Sequence, residues 1–282
     1  MEFRKFGYTD INVPIIGQGT WQIPEHGKAR RLAVESLIKG TELGMLHIDT
    51  AEMYGDAEEV ISEMLELLEL NREKLFVVDK VLPSNASYPG VIDALERSLK
   101  RLKLDYLDCY LLHWRGHLPL SETLAAFEKL QQDGKIRCFG VSNFDVEDLE
   151  EAQDCLTTGK IACNQVLYNL GVRGIERNLL PYCQKNQIAL VGYTPFGSLP
   201  RSGSKADKAL KNIASKRDVT ARQIALAFLT RNDGTFTIPK ASNLDHVKEN
   251  AEAGNLELSK EEIEILDKHF PAPDRDMPLA ML

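Results

Sequence analysis

The stretch "PIIGQGTWQ", residues 14–22, decides between two folds. An apolar run ending in glycines is the entry to a dinucleotide-binding turn in a doubly wound sheet, where G-x-G-x-x-G wraps a pyrophosphate at a helix N-terminus. Gly17 and Gly19 supply the first two positions, but Gln22 stands where the third glycine belongs. The fingerprint fails, and "PIIGQGTW" (14–21) reads as the first strand of a different α/β architecture.

Seven further apolar runs follow it: "MLHIDT" (45–50), "LFVVDKV" (75–81), "LDCYLLH" (107–113), "RCFGVSN" (137–143), "CNQVLYN" (163–169), "ALVGYTP" (189–195) and "FTIPK" (236–240). Most are continuous, as in parallel strands covered on both faces. Helical patterns lie between them. In the stretch at 28–44, Ala29, Ala33 and Leu37 share a face with Val34 and Ile38 beside it, and Gly44 is placed to stop the helix. "SETLAAFEKLQQDGK" offers Ser121 as N-cap, an inner stripe of Leu124, Phe127 and Leu130, and Gly134 as the stop. Thr220 with Gln223, and Ser259 with Glu262, have capping-box spacing. No Pro/Gly/Ser-rich linker divides the chain. Eight strands alternating with helices over 282 residues predict a single (β/α)8 TIM barrel of parallel strands spanning 1–282.

A formal net charge of −8 argues against nucleic acid and anionic membranes as partners. The N-terminus lacks a signal-peptide pattern, and no apolar run approaches the roughly 18 residues of a membrane span. Five dispersed cysteines without C-x-x-C suggest buried thiols in a reducing compartment, so the expectation is a cytoplasmic protein. No metal site is expected. A barrel hydrolase would need His-x-His after its first strand, and "HID" (47–49) is a poor substitute. His113 and His117 are four apart but span "WRG", which does not read as a helix.

Barrel enzymes draw their chemistry from the C-terminal ends of strands. Those ends carry Asp49, Lys80, His113, Ser142, Asn143, Gln165, Tyr193 and Lys240, with Tyr54 just beyond the second. Each alone has a structural reading as cap, snorkelling cation or packed ring. An acid, a base, an imidazole and a phenol converging on one barrel face are harder to explain as structure.

At these motifs the chain resembles the aldo-keto reductases, NAD(P)H-dependent carbonyl reductases built on a (β/α)8 barrel. "GQGTW", "IDTAEMYG", "VVDK", "YLDCYLLHW", "GKIRCFGVSNF", "NQVLYN", "GYTPFGS" and "IPKASNLDHVKEN" occur in the family's order, nearly end to end. Bacterial methylglyoxal- and aldehyde-reductase-like members are the most similar. The resemblance implies a catalytic tetrad of Asp49, Tyr54, Lys80 and His113. It implies that Ser142, Asn143 and Gln165 hold the nicotinamide carboxamide and that Tyr193 stacks on the ring. Thr20 and Trp21 join Asp49 at the cofactor, and Thr194, Pro195, Phe196, Gly197 and Ser198 form a loop over the pyrophosphate. Lys240, Ala241, Ser242, Asn243, His246, Glu249 and Asn250 surround the adenosine, with Lys240 nearest the 2′-phosphate. Trp21, Tyr54, His113 and Trp114 would meet the substrate.

The implied chemistry explains the residue types. Carbonyl reduction leaves charge growing on oxygen, and a phenol can protonate it; a Lys ammonium beside the phenol should lower its pKa from about 10. Three departures stand out, the first being Ala241 where many members have Ser. His246 replaces an arginine that many members use on the 2′-phosphate, and brings less charge at pH 7. With Lys240 retained, the expected cofactor is NADP(H), with NAD(H) the alternative. Asp79 stands before Lys80 where Ser or Thr is common. The tail after Pro271 is shorter than in members selective for bulky ligands, so the resemblance implies a small, open pocket and small aldehydes or α-dicarbonyls as substrates. A monomer is the expected working form. The rival reading is a cofactor-holding accessory or redox-sensing barrel with little turnover.

Overall fold

The computed structural model describes residues 1–24 and 26–282. A two-stranded antiparallel hairpin, β1 (Phe3–Lys5) and β2 (Asn12–Pro14), comes first. Eight parallel strands follow: β3 (Gln18–Gly19), β4 (His47–Asp49), β5 (Phe76–Val81), β6 (Leu107–Leu112), β7 (Ile136–Ser142), β8 (Cys163–Leu167), β9 (Ala189–Tyr193) and β10 (Thr235–Thr237), each hydrogen-bonded to the next in chain order. The ends of this sheet meet. Thr237 N donates to the Ile15 carbonyl at 2.9 Å, Gly17 N to Thr237 O at 2.8 Å and Gly19 N to Pro239 O at 3.2 Å. The predicted (β/α)8 barrel is therefore closed, and every predicted run overlaps its strand, β7 and β10 each starting one residue before the run.

Helices α1 (Gly27–Glu42), α2 (Ala57–Leu67), α3 (Tyr88–Leu102), α4 (Leu120–Gln132), α5 (Val146–Asp154) and α6 (Leu179–Lys185) follow β3 to β8 in turn. Two helices, α7 (Lys205–Lys216) and α8 (Ala221–Leu229), separate β9 from β10; α9 (Leu244–Ala253) and α10 (Lys260–His269) complete the set. Alternation along β5 sorts its side chains. Phe76 and Val78 pack inside the barrel with Leu111, Val191 and Phe236, while Val77 and Val81 face the helices. Lys80 shares the inward parity of Val78, and Asp79 that of Val77.

The hairpin was not foreseen. It carries Phe6, fully buried, to the barrel floor, where its ring lies 4.6 Å from that of Phe76 and 5.3 Å from that of Phe236. Two local expectations are corrected. Helix α4 starts at Leu120 with Pro119 as N-cap, so Ser121 lies inside its first turn; burying Leu120 draws the helix start forward. Ala29 is exposed, like Gly27 and Lys28 in the same first turn of α1, whereas Ala33, Val34 and Leu37 are buried. The two foreseen capping boxes are present. Gly44 (φ +92°) and Gly134 (φ +72°) follow their helices in the left-handed region that glycine favours. Among the described residues no helix is long and apolar enough to cross a membrane.

Candidate active site

A cavity of about 750 Å³ opens at the C-terminal ends of the barrel strands. Lys80 is its concealed base: fully buried on β5, it extends Nζ to Asp49 Oδ1 at 2.6 Å and to the Thr50 carbonyl at 2.7 Å. Asp49, the last residue of β4, accepts a second bond from Gln165 Nε2 at 2.7 Å. Tyr54 sits in the turn after β4, held by its N–H to Ala51 O at 2.9 Å. Lys80 Nζ is 5.0 Å from the Tyr54 ring centroid. His113, just past β6, is anchored through its N–H to Val81 O at 3.0 Å, and its Nε2 lies 3.4 Å from the Tyr54 hydroxyl. The four residues foreseen as a tetrad thus converge.

Burial competes with charge here. It raises the Tyr54 phenol above its ordinary value, with the Lys80 charge pulling the other way and Asp49 adding to the rise. The net direction is up, opposite to the lowering expected from the lysine alone, because a phenolate in this near-enclosed position loses more hydration than one ammonium restores. Burial would lower Lys80, but Asp49, Tyr54 and Asp79 outweigh it and hold the ammonium above its usual range. Burial likewise lifts Asp49, opposed by Lys80 and the Gln165 amide. With two donors aimed at its carboxylate, we assign an ionised Asp49–Lys80 pair. His113 is pushed down to about 3 by burial and then by the Lys80 charge, so its imidazole is neutral at pH 7.

The four residues matched to the nicotinamide site form one network. Ser142 Oγ donates to the Gln165 carbonyl at 2.9 Å. Asn143, left-handed at φ +61°, donates through Nδ2 to His113 O at 3.2 Å and accepts from the Tyr193 hydroxyl at 2.9 Å. Thr20 Oγ1 donates to the Asp49 carbonyl at 2.9 Å. Thr20, Trp21 and Trp114 line the cavity, as do Thr194, Pro195, Phe196 and Gly197; Ser198 lies outside it, against Gly171.

Around the expected adenosine position the assignments divide. Lys240 lines the cavity, and burial lowers its pKa. Ser242 Oγ and Asn250 Oδ1 are buried polar atoms with no hydrogen-bond partner among the described residues. Glu249 accepts from Thr220 Oγ1 at 3.5 Å. Asn243 is instead engaged as the N-cap of α9, its Oδ1 taking the N–H groups of Asp245 and His246. The His246 side chain is exposed, and Ala241 packs against the barrel interior. Orphaned polar atoms on Ser242 and Asn250, with a cavity-lining lysine that has no carboxylate partner among the described residues, fit a polar, anionic ligand such as the phosphorylated adenosine of NADP(H).

Several contributors carried no sequence signal. Met53, Ile238, Met281 and Leu282 also line the cavity, so the tail reaches into a pocket expected to be left open by its shortness. Arg177 pins that tail by donating to the Asp276 carboxylate at 2.5 Å and to the Asp274 carbonyl at 3.0 Å. Glu52 binds Leu82 N at 2.6 Å and Asn85 Nδ2 at 3.0 Å, tying the loop after β4 to the loop after β5. Asp79 points away from the cavity; burial and the nearby Glu58 raise it well above the usual carboxylate range. Among the described residues no group of three or more His, Cys, Asp or Glu side chains could hold a metal.

A closed barrel whose mouth gathers an ion-paired lysine, a phenol, a neutral imidazole and an amide–tyrosine network defines a class: a cofactor-binding barrel oxidoreductase. Residues 15–270 match the aldo/keto reductase family, and the chain belongs to that family. It is 44% identical over 277 residues to methylglyoxal reductase YeaE of Escherichia coli, covering 97% of this chain and 96% of that one. Glyoxal reductase of Bacillus subtilis is 34% identical, covering 92% and 90%. An aldo-keto reductase from Klebsiella pneumoniae, crystallised in complex with NADPH, superposes with a TM-score of 0.92 at 42% identity over 100% of this chain and 99% of that one.

Proposed function

We propose that this protein reduces small aldehydes and α-dicarbonyls of the methylglyoxal kind to alcohols, using NADPH, at the Tyr54 hydroxyl. The observation that carries this is the buried Asp49–Lys80 pair beneath Tyr54, with neutral His113 3.4 Å from the same hydroxyl. The relatives that reduce methylglyoxal and glyoxal support the substrate class.

When bound, the nicotinamide supplies the hydride. The protein's part is to hold the carbonyl and deliver a proton. Tyr54 remains a phenol at neutral pH and donates to the carbonyl oxygen as negative charge develops there. Lys80 steadies the phenolate left behind, and Asp49, the Thr50 carbonyl and Gln165 fix the ammonium so that no reorganisation is needed. Neutral His113, with Nε2 turned toward the hydroxyl, donates to the same oxygen and orients it. Trp21, Trp114 and Met53 wall the cavity and limit access of water to the reacting atoms. The intrusion of Met281 and Leu282 favours small carbonyls, so steroids and other bulky ketones should turn over poorly.

The five free thiols, four of them buried, support a reducing, cytoplasmic setting. Monomeric action is the simplest form for a cavity built by one chain; sedimentation should return a mass near 31.6 kDa. Cofactor oxidation on mixing with methylglyoxal tests the function. Stoichiometric binding of NADPH without turnover would instead favour the accessory or sensor role.

A further inference from the structure

The first turn of α8 presents an arginine that is unlike the other buried or part-buried arginines among the described residues. Arg4, Arg30, Arg72, Arg101, Arg173 and Arg231, the other arginines that are not exposed, each pair with a carboxylate. Arg222 is half-buried and makes no ion pair or hydrogen bond among the described residues, and its Nε is buried without a partner. Its guanidinium lies over the Phe196 ring, 3.7 Å from the centroid, and Phe196 itself lines the cavity. Burial pushes its pKa down, opposed only by the charge of Glu249 on α9.

A desolvated cation without a counter-ion is costly, and an incoming anion relieves that cost. Phe196 and Lys240 line the same cavity, and among the described residues Lys240 has no carboxylate partner; Ser242, two residues further on, has an orphaned Oγ. A phosphate dianion matches two cations and a hydroxyl, and the planar guanidinium fork suits its paired oxygens. We propose that Arg222, braced on Phe196, is a second cation for the 2′-phosphate of NADP(H), acting with Lys240. The phosphate selectivity of the site then has a source on α8, the helix before β10, as well as on the segment after β10 where His246 lies. This inference rests on the NADP(H) reading above.

Calorimetric titration of the full chain with adenosine 2′,5′-bisphosphate, adenosine 5′-monophosphate, NADPH and NADH tests it, with thermal melting to check the fold of each variant. For Arg222→Gln, affinity for the bisphosphate and NADPH should fall by about tenfold or more, as for loss of a charge-assisted hydrogen bond, while the monophosphate and NADH change by less than about twofold. Arg222→Lys, which keeps the charge and loses the fork, should fall between, and serves if the glutamine variant does not fold. Equal losses for all four ligands would mean that Arg222 holds adenine or the Phe196 loop, and would overturn the proposal. So would unchanged NADPH affinity, or an unsubstituted chain that binds bisphosphate no better than monophosphate. Selective loss in a chain that turns over no carbonyl would sustain Arg222 while removing the reductase reading.

Discussion

Tyr54 is where two opposing effects meet, and their balance sets the direction of the chemistry. Burial raises the phenol and Lys80 lowers it, with burial ahead. The proton is therefore present throughout the neutral range, and reduction should lose rate only as pH climbs through a value above the ordinary phenol range. Alcohol oxidation needs the phenolate and should gain rate with rising pH; identical pH optima in the two directions would remove Tyr54 from the proton step. Tyr54→Phe should lower turnover by at least ~10²-fold with cofactor binding nearly unchanged, as measured by steady-state kinetics beside a binding titration. A second residue-scale prediction concerns His47, fully buried on β4 with neither ring nitrogen partnered and its pKa pushed down to about 3 by burial and by Lys80. Below its unfolded pKa of about 6.5 the unfolded chain takes up a proton that the folded chain refuses until about pH 3. Stability is thus fully present above pH 6.5 and falls as pH drops across that window. His47→Leu should flatten the decline in denaturant midpoint between those limits, and an unaltered acid limb would contradict this.

At the scale of the element, strand parity does most of the positioning. In "VVDK" the period of two turns Lys80 into the barrel and Asp79 out of it, so two adjacent charges have separate environments. This much was legible in the sequence, since the residues ending each apolar run are those at the barrel mouth. Helix starts were legible at Thr220 and Ser259, where a capping side chain is followed by Gln or Glu three residues on. The Asp145–Asp148 box that starts α5 went unread, and Ser121 was misread, because tertiary burial of Leu120 decides that boundary. Ser259→Ala should cost about 1 kcal/mol by denaturant unfolding, since it removes the hydroxyl that accepts from Glu262 N at the start of α10, and should leave NADPH affinity unchanged. A loss below a few tenths of a kcal/mol would show that the box adds nothing there.

For the whole molecule, the barrel was readable because eight apolar runs alternate with helical patterns, and the site because its groups follow those runs. What could not be read depends on contacts between distant positions. The Gln165–Asp49 hydrogen bond joins strands on different parts of the wall, and no local pattern announces it. The tail beyond α10 has no periodicity, so its return into the cavity is set by Arg177 and by apolar contact of Leu279 with the outer core. Arg222 looks like any polar helix residue until Phe196, from the loop after β9, is placed beneath it. The hairpin escaped because its strands are three residues each, too short for alternation to register.

The measurement that tests the central claim most directly is oxidation of NADPH by methylglyoxal, followed in parallel for the unsubstituted chain and Tyr54→Phe. The account predicts rapid oxidation by the former and loss of at least ~10²-fold in the latter, with both binding NADPH alike. Binding of NADPH by the unsubstituted chain with no oxidation on adding methylglyoxal or a small aromatic aldehyde would contradict it.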